Sequence, residues 1–152
     1  MKAFGLIQLY RHCAKPTWII VRFRRTSELD SGFHGWGDLV SVSAGEAEAR
    51  LLDIVLGELA DARQVVLPNS PELSASPAVR KRQARILREF EPVSISDPTR
   101  GELQIQPLLM SPRGGGMGDP KDRVIFSLPN TNQRFLAALD VAYSRCAVVY
   151  DR

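Results

Sequence analysis

Cysteine and histidine are scarce in this 152-residue chain, which holds two of each: Cys13, Cys146, His12 and His34. Two thiols are too few for a disulfide scaffold, so a reducing compartment is expected. Zinc sites draw their ligands in close pairs such as Cys-x2-Cys. Adjacent His12 and Cys13 lack that spacing and the other two lie far away, so no metal is expected. No Ser sits in a nucleophile elbow. The Gly-rich stretch 113–120 lies between predicted strands, and Lys121 is followed by Asp122 where a phosphate-binding P-loop carries Ser or Thr. A hairpin loop is the expectation there, with no cofactor and no enzymatic activity. Long apolar runs are also missing. Trp18-Ile19-Ile20-Val21 is typical, far short of the ~20 residues a membrane span needs. Residues 1–9 show no small-residue cleavage site, so neither a signal peptide nor export is expected, and the expected location is the cytoplasm.

What the chain does have is an ordinary globular balance. Hydrophobic residues make up 44% and charged residues 24%, which argues against disorder and for one domain over 1–152. The net charge of +3 hides strong segregation. Residues 1–25 carry six basic and no acidic residues, residues 26–77 balance to −7, and residues 78–101 to +3.

Local pattern then assigns elements. Residues 3–10 and 17–23 are rich in aromatic and β-branched residues and read as strands, with turn chemistry between them. Residues 26–37, broken by Gly32, Gly35 and Gly37, read as a loop, and 38–42 as a short strand. Ser43 precedes Glu46 at capping-box spacing. Leu51, Leu52, Val55, Leu59 and Ala62 then recur on one helical face, which predicts an amphipathic helix over 44–62. The proline-punctuated stretch 68–77 reads as a loop. Ser76-Pro77 opens a second helix to about 90, with Val79, Ile86, Leu87 and Phe90 on its apolar side and Pro92 as its stop. Residues 93–96 and 102–106 alternate around an Asp-Pro-Thr-Arg-Gly turn and predict a hairpin with one wet face. A strand at 123–128 and a helix capped by Asn130 or Thr131, with Phe135, Leu139, Ala142 and Cys146 on one stripe, complete the chain. A strand, a capped helix and a basic residue occur twice, over 39–63 and 124–145. The implied fold class is α+β, a mixed or antiparallel sheet of about five or six strands with three helices packed on it.

Two charged helix faces are candidates for function. On the first helix, Glu46 suits the positive end of the helix dipole. Asp53, Glu58 and Asp61 lie further along, so they are either solvated charge or, with Glu46, a docking patch for a basic protein. On the second helix, five of the nine residues 80–88 are basic. They suit phosphates, or serve as a solvated face that pairs with the acidic helix nearby. No helix-turn-helix, RNP or KH signature accompanies them.

The C-terminal third carries a family resemblance. Val124-Ile125-Phe126-Ser127-Leu128, a polar link, and the Ala/Leu-rich segment Phe135 to Cys146 closing on Ser144-Arg145-Cys146 resemble the end of the CdiI-type immunity proteins of contact-dependent growth inhibition. Val93-Ser94-Ile95 with Leu103 to Pro107 is similar to that family's central hairpin, and the helix ending Ala62-Arg63 to its first long helix. These parts cover roughly half of the chain. The Pro- and Arg-rich stretch 68–92 departs from the pattern, and residues 1–37 carry no family mark. The resemblance implies a cytoplasmic, non-enzymatic inhibitor that binds and neutralises a delivered toxin domain, commonly a nuclease. Its partner-binding residues would be Glu46, Asp53, Glu58 and Asp61. The alternative is a nucleic-acid-binding module using the basic helix 78–90.

Overall fold

Strand alternation organises the molecule. In the computed structural model the described residues are 5–24, 33–37, 39–64, 76–99, 101–110 and 116–148. Strands β1 (Leu6–His12) and β2 (Trp18–Arg24) pair antiparallel, with Leu9 opposite Ile20. Ile7, Leu9 and Ile20 point to one face, and Gln8, Tyr10, Ile19 and Val21 to the other; all seven are buried. Both faces of this strand pair are therefore covered, unlike the one-sided pattern common in antiparallel sheets.

The remaining strands extend the sheet. Strands β3 (Phe33–His34) and β4 (Val40–Val42) pair with opposite ends of the same edge of β2. Strand β5 (Phe90–Ser96) pairs antiparallel along the whole of β1, β6 (Glu102–Pro107) pairs with β5, and β9 (Val124–Ser127) closes the other edge. The order is β3/β4-β2-β1-β5-β6-β9, antiparallel throughout. A separate small sheet joins β7 (Leu109–Met110) to β8 (Gly116–Met117) antiparallel and to β10 (Ala147–Val148) parallel. The fold class is α+β, as the residue pattern implied.

Helix α1 (Ala44–Ala62) forms where expected, and its capping box is complete. Glu46 N–H donates to Ser43 Oγ at 3.2 Å, and Ser43 N–H donates to Glu46 Oε1 at 3.4 Å. Ala47, Leu51, Leu52, Val55, Leu59 and Ala62 are buried against β1, β2 and α3 (Asn132–Ser144). Each fully buried Leu contributes about 1.5–3 kcal/mol. Gly5, just before β1, touches the backbone of Leu59, and any Cβ there would collide with it. Helix α3 is capped by Thr131, whose hydroxyl accepts from Arg134 N–H at 3.2 Å. It buries Phe135, Leu139, Ala142 and Tyr143 on the same sheet face as α1. Helix α2 (Pro77–Glu89) lies on the opposite face, where Ile86 and Phe90 pack with Tyr10, Ile19, Val21 and Trp36.

The recurring strand–helix pattern has a topological counterpart. Strands β1, β2, β4 and helix α1 form one half; β5, β6, β9 and α3 form the other. In each half the first strand is central, the third is at the edge, and the helix follows the edge strand. Helix α2 belongs to the connection between the halves.

Three expectations need correction. The second helix ends at Glu89, close to the expected end, but Phe90 already has extended backbone, so Pro92 is not its stop. Pro92 lies inside β5 opposite Tyr10 and beyond the reach of β6, so its missing N–H costs no rung with that strand. The expected loop 26–37 includes the short strand β3, while residues 25–32 lie outside the described residues, as do 65–75 of the proline-punctuated stretch. The expected loop 113–120 contributes β8 and a 3-10 turn at Pro120–Asp122; residues 113–115 lie outside the described set. The hairpin β5–β6 is as expected: Val93, Ile95, Leu103 and Ile105 are buried, and Ser94 faces Gln106 on the wetter side.

Helix α1 is broken at Arg50 (φ −159°, ψ 32°). The break interrupts its backbone ladder, and Asn132 of α3 fills the gap. Asn132 Oδ1 accepts from Leu52 N–H at 2.8 Å, and its Nδ2 donates to the carbonyls of Ala47 (2.9 Å) and Glu48 (2.8 Å). An inserted side chain is a recognised cause of helix kinks. Asn132→Ala removes these three hydrogen bonds, and unfolding in urea is expected to show a loss of about 1–3 kcal/mol. An unchanged midpoint would contradict this assignment.

Candidate functional site

The acidic residues of α1 do not share one environment. Glu46 is occupied by the capping box and lies 3.8 Å from Arg50. Asp53 is exposed on the helix surface. Glu58 and Asp61 instead turn toward β2. Arg22 pairs with Glu58 and, at 3.1 Å, with Asp61, while Arg24 reaches Asp61 at 2.8 Å and the Asp61 carbonyl at 3.1 Å. The Arg22 and Arg24 side chains are only 11% and 4% exposed. Such enclosed cations need carboxylates beside them, because an unpaired buried charge is costly. Glu58 and Asp61 supply them.

A second charged cluster joins β1, β5 and α3. Arg11 Nη2 donates to Glu91 Oε1 at 2.9 Å, and its Nη1 donates to Asp140 Oδ1 at 2.9 Å. Its guanidinium lies 4.2 Å from the centre of the Tyr143 ring. Burial opposes the Arg11 charge, and the Glu91 carboxylate more than offsets it, so its pKa lies above the ordinary value. The Tyr143 hydroxyl donates to the Leu9 carbonyl at 2.6 Å, and burial holds its pKa well above the usual phenol range. Nearby, burial pushes the Cys146 thiol up to about 11. A thiol protonated at neutral pH is a poor nucleophile and metal ligand. Cys13 is exposed, and His12 Nδ1 accepts from the amides of Ala14 (2.9 Å) and Lys15 (3.0 Å). Among the described residues no group of His, Cys, Asp and Glu converges as a metal site.

Helix α2 is different. Lys81, Arg82, Arg85 and Arg88 line a pocket of about 330 Å³. Arg82 is anchored: its Nη2 donates to the Trp36 carbonyl at 2.6 Å. The Arg82 Nε is buried with no hydrogen-bond partner among the described residues. Lys81, Arg85 and Arg88 follow i, i+4, i+7 spacing on the side away from buried Ile86. Arg85 lies 3.9 Å from Glu89, both exposed, while Lys81 and Arg88 make no ion pair among the described residues. Like charges at this spacing destabilise a helix by about 0.2–0.5 kcal/mol per pair. The expected alternative, pairing with the acidic helix, does not occur: α1 and α2 sit on opposite faces of the sheet. Sequence reasoning found the basic residues but not this separation, which follows from which strand face each helix covers.

Comparison with known proteins adds a fold relative. No family model matches the chain, and no curated protein matches it. Among solved structures, the protein of unknown function NMB0488 from Neisseria meningitidis is similar over 96% of this chain and 97% of its own, with a TM-score of 0.62 and 18% identity. The likeness is one of fold. Among the described residues no helix is long and apolar enough to cross a membrane.

The two kinds of acidic residue on α1 are separable by mutation. Glu58→Lys places a cation beside enclosed Arg22 and is expected to cost about 3–5 kcal/mol in urea unfolding. Asp53→Lys is expected to stay within about 0.5 kcal/mol of wild type. Equal midpoints for the two variants would contradict the internal role of Glu58.

Proposed function

We propose that this chain is an immunity protein of the contact-dependent growth inhibition type. It binds the C-terminal toxin domain delivered by a neighbouring cell, and it neutralises that domain by matching its surface, without chemistry of its own. One observation carries this reading. Where charged side chains converge, in the Arg22/Arg24–Glu58/Asp61 and Arg11–Glu91–Asp140 clusters, they satisfy one another. The charges left over lie on outward helix faces, the cationic side of α2 foremost, an arrangement suited to contact with another macromolecule. The resemblance of Val124–Cys146 to the end of CdiI-type proteins supports the same reading. In that stretch β9 and α3 pack together through Phe126 and Phe135, whose ring centres lie 5.3 Å apart. Of the acidic residues first proposed for contact, Glu46 and Asp53 are exposed.

A nucleic-acid-binding module is the second reading, favoured by the cationic pocket on α2.

The test is protection. The reading frames flanking the gene are screened for a toxin domain, the chain is co-expressed with the one found, and growth is followed. Growth is expected to be restored, with the two proteins co-eluting as a complex. Continued toxicity in cells that accumulate the folded chain would overturn the proposal.

A further inference from the structure

Helix α2 is the part of the molecule whose surface the fold itself does not explain. It stands outside both matching halves, in the connection between them. It covers the sheet through one short apolar side centred on Ile86. Its outward side is a stripe of cations whose carboxylate partner among the described residues is Glu89 of the same helix. The carboxylates of α1 lie across the sheet, and two of them are bound to Arg22 and Arg24.

We infer that the cationic groove of α2, built by Lys81, Arg82, Arg85 and Arg88, is the docking surface for an acidic, carboxylate-rich face of the toxin domain. This deepens the immunity reading and rests on it. It also reverses the charge sign first expected of the partner. Of the described residues lining the groove, Arg82, Arg85 and Arg88 are arginines. A guanidinium fork grips a carboxylate with two parallel hydrogen bonds, and arginine is enriched among the residues that dominate protein interfaces. The Trp36 carbonyl holds Arg82 at one end of the groove, so part of the ordering cost is met before binding. Clusters of carboxylates are also what nucleases use to hold catalytic metal ions, so an acidic face is a chemically sensible target.

The groove is small for a nucleic acid. Its outward stripe of three cations spans about 10 Å of helix, at 1.5 Å per residue. Three phosphate contacts release few counterions, against the six to ten of a salt-sensitive DNA binder.

The test uses the intact chain and the toxin domain that the co-expression screen identifies. Association is followed by stopped-flow at salt concentrations between about 50 and 200 mM, alongside a short DNA duplex as a second probe. Wild type is expected to bind the toxin domain at a rate that falls as salt rises. The triple variant Lys81→Glu, Arg85→Glu, Arg88→Glu is expected to associate about 10- to 1,000-fold more slowly. Its thermal melt should match that of wild type, since these side chains are exposed. Arg134→Glu, a charge reversal on the exposed side of α3, is expected to leave the rate unchanged. If wild type fails to bind the toxin domain, the immunity reading falls and this inference with it. If the triple variant binds as fast as wild type, or Arg134→Glu slows binding as much, the inference falls and the immunity reading stands. Duplex binding that survives the higher salt and is lost in the triple variant overturns the inference in favour of a nucleic-acid site.

Discussion

The two-residue period of β1 and β2 is the constraint on which the rest of the structure depends. Because successive side chains leave a strand on opposite faces, Leu9 and Tyr10 enter two different cores. A slip of one residue between β1 and β2 would exchange those cores and turn Arg22 and Arg24 to the face where Ile19 and Val21 now lie. The ion pairs to Glu58 and Asp61 hold only in the observed register. The same pairs that neutralise the enclosed arginines therefore also favour one register.

The sheet is also an electrical divider. Along the chain, the most acidic segment directly precedes the most basic helix, and the simplest expectation is that they neutralise each other. The connection between the two halves carries α2 to the far side instead. On the α1 face, carboxylates are partly consumed by β2. On the α2 face, Lys81 and Arg88 have no carboxylate partner among the described residues. A modest net charge of +3 thus coexists with a concentrated cationic groove. This arrangement favours recognition by surface potential, and the proposed function and docking site both follow from it.

Local signals in the sequence were legible to the extent that their physics is local. Ser43, Glu46 and the Leu51–Ala62 spacing placed α1 to the residue, since capping and amphipathicity act within a few positions. The alternation in 93–96 and 102–106 placed the central hairpin for the same reason. The break at Arg50 was not legible, because its compensating partner, Asn132, is 80 positions from Leu52. The roles of Glu58 and Asp61 were hidden too. On a helical wheel they resemble solvated or docking charge, and only the packing of α1 across β2 shows which arginines they meet. Pro92 has the look of a stop for the preceding helix, yet the strand begins before it, at Phe90. The two-residue strands β3, β7, β8 and β10 are too short to leave a periodic signature.

The central claim is that α1 and α2 occupy opposite faces of one sheet. Spin labels at exposed Ala60 of α1 and Ala84 of α2, in a Cys13→Ser, Cys146→Ala background, measure it directly by pulsed electron resonance. Two layer spacings of about 10 Å each predict a single separation of about 20 Å or more. A separation of about 10 Å, that of helices packed side by side, would contradict the account.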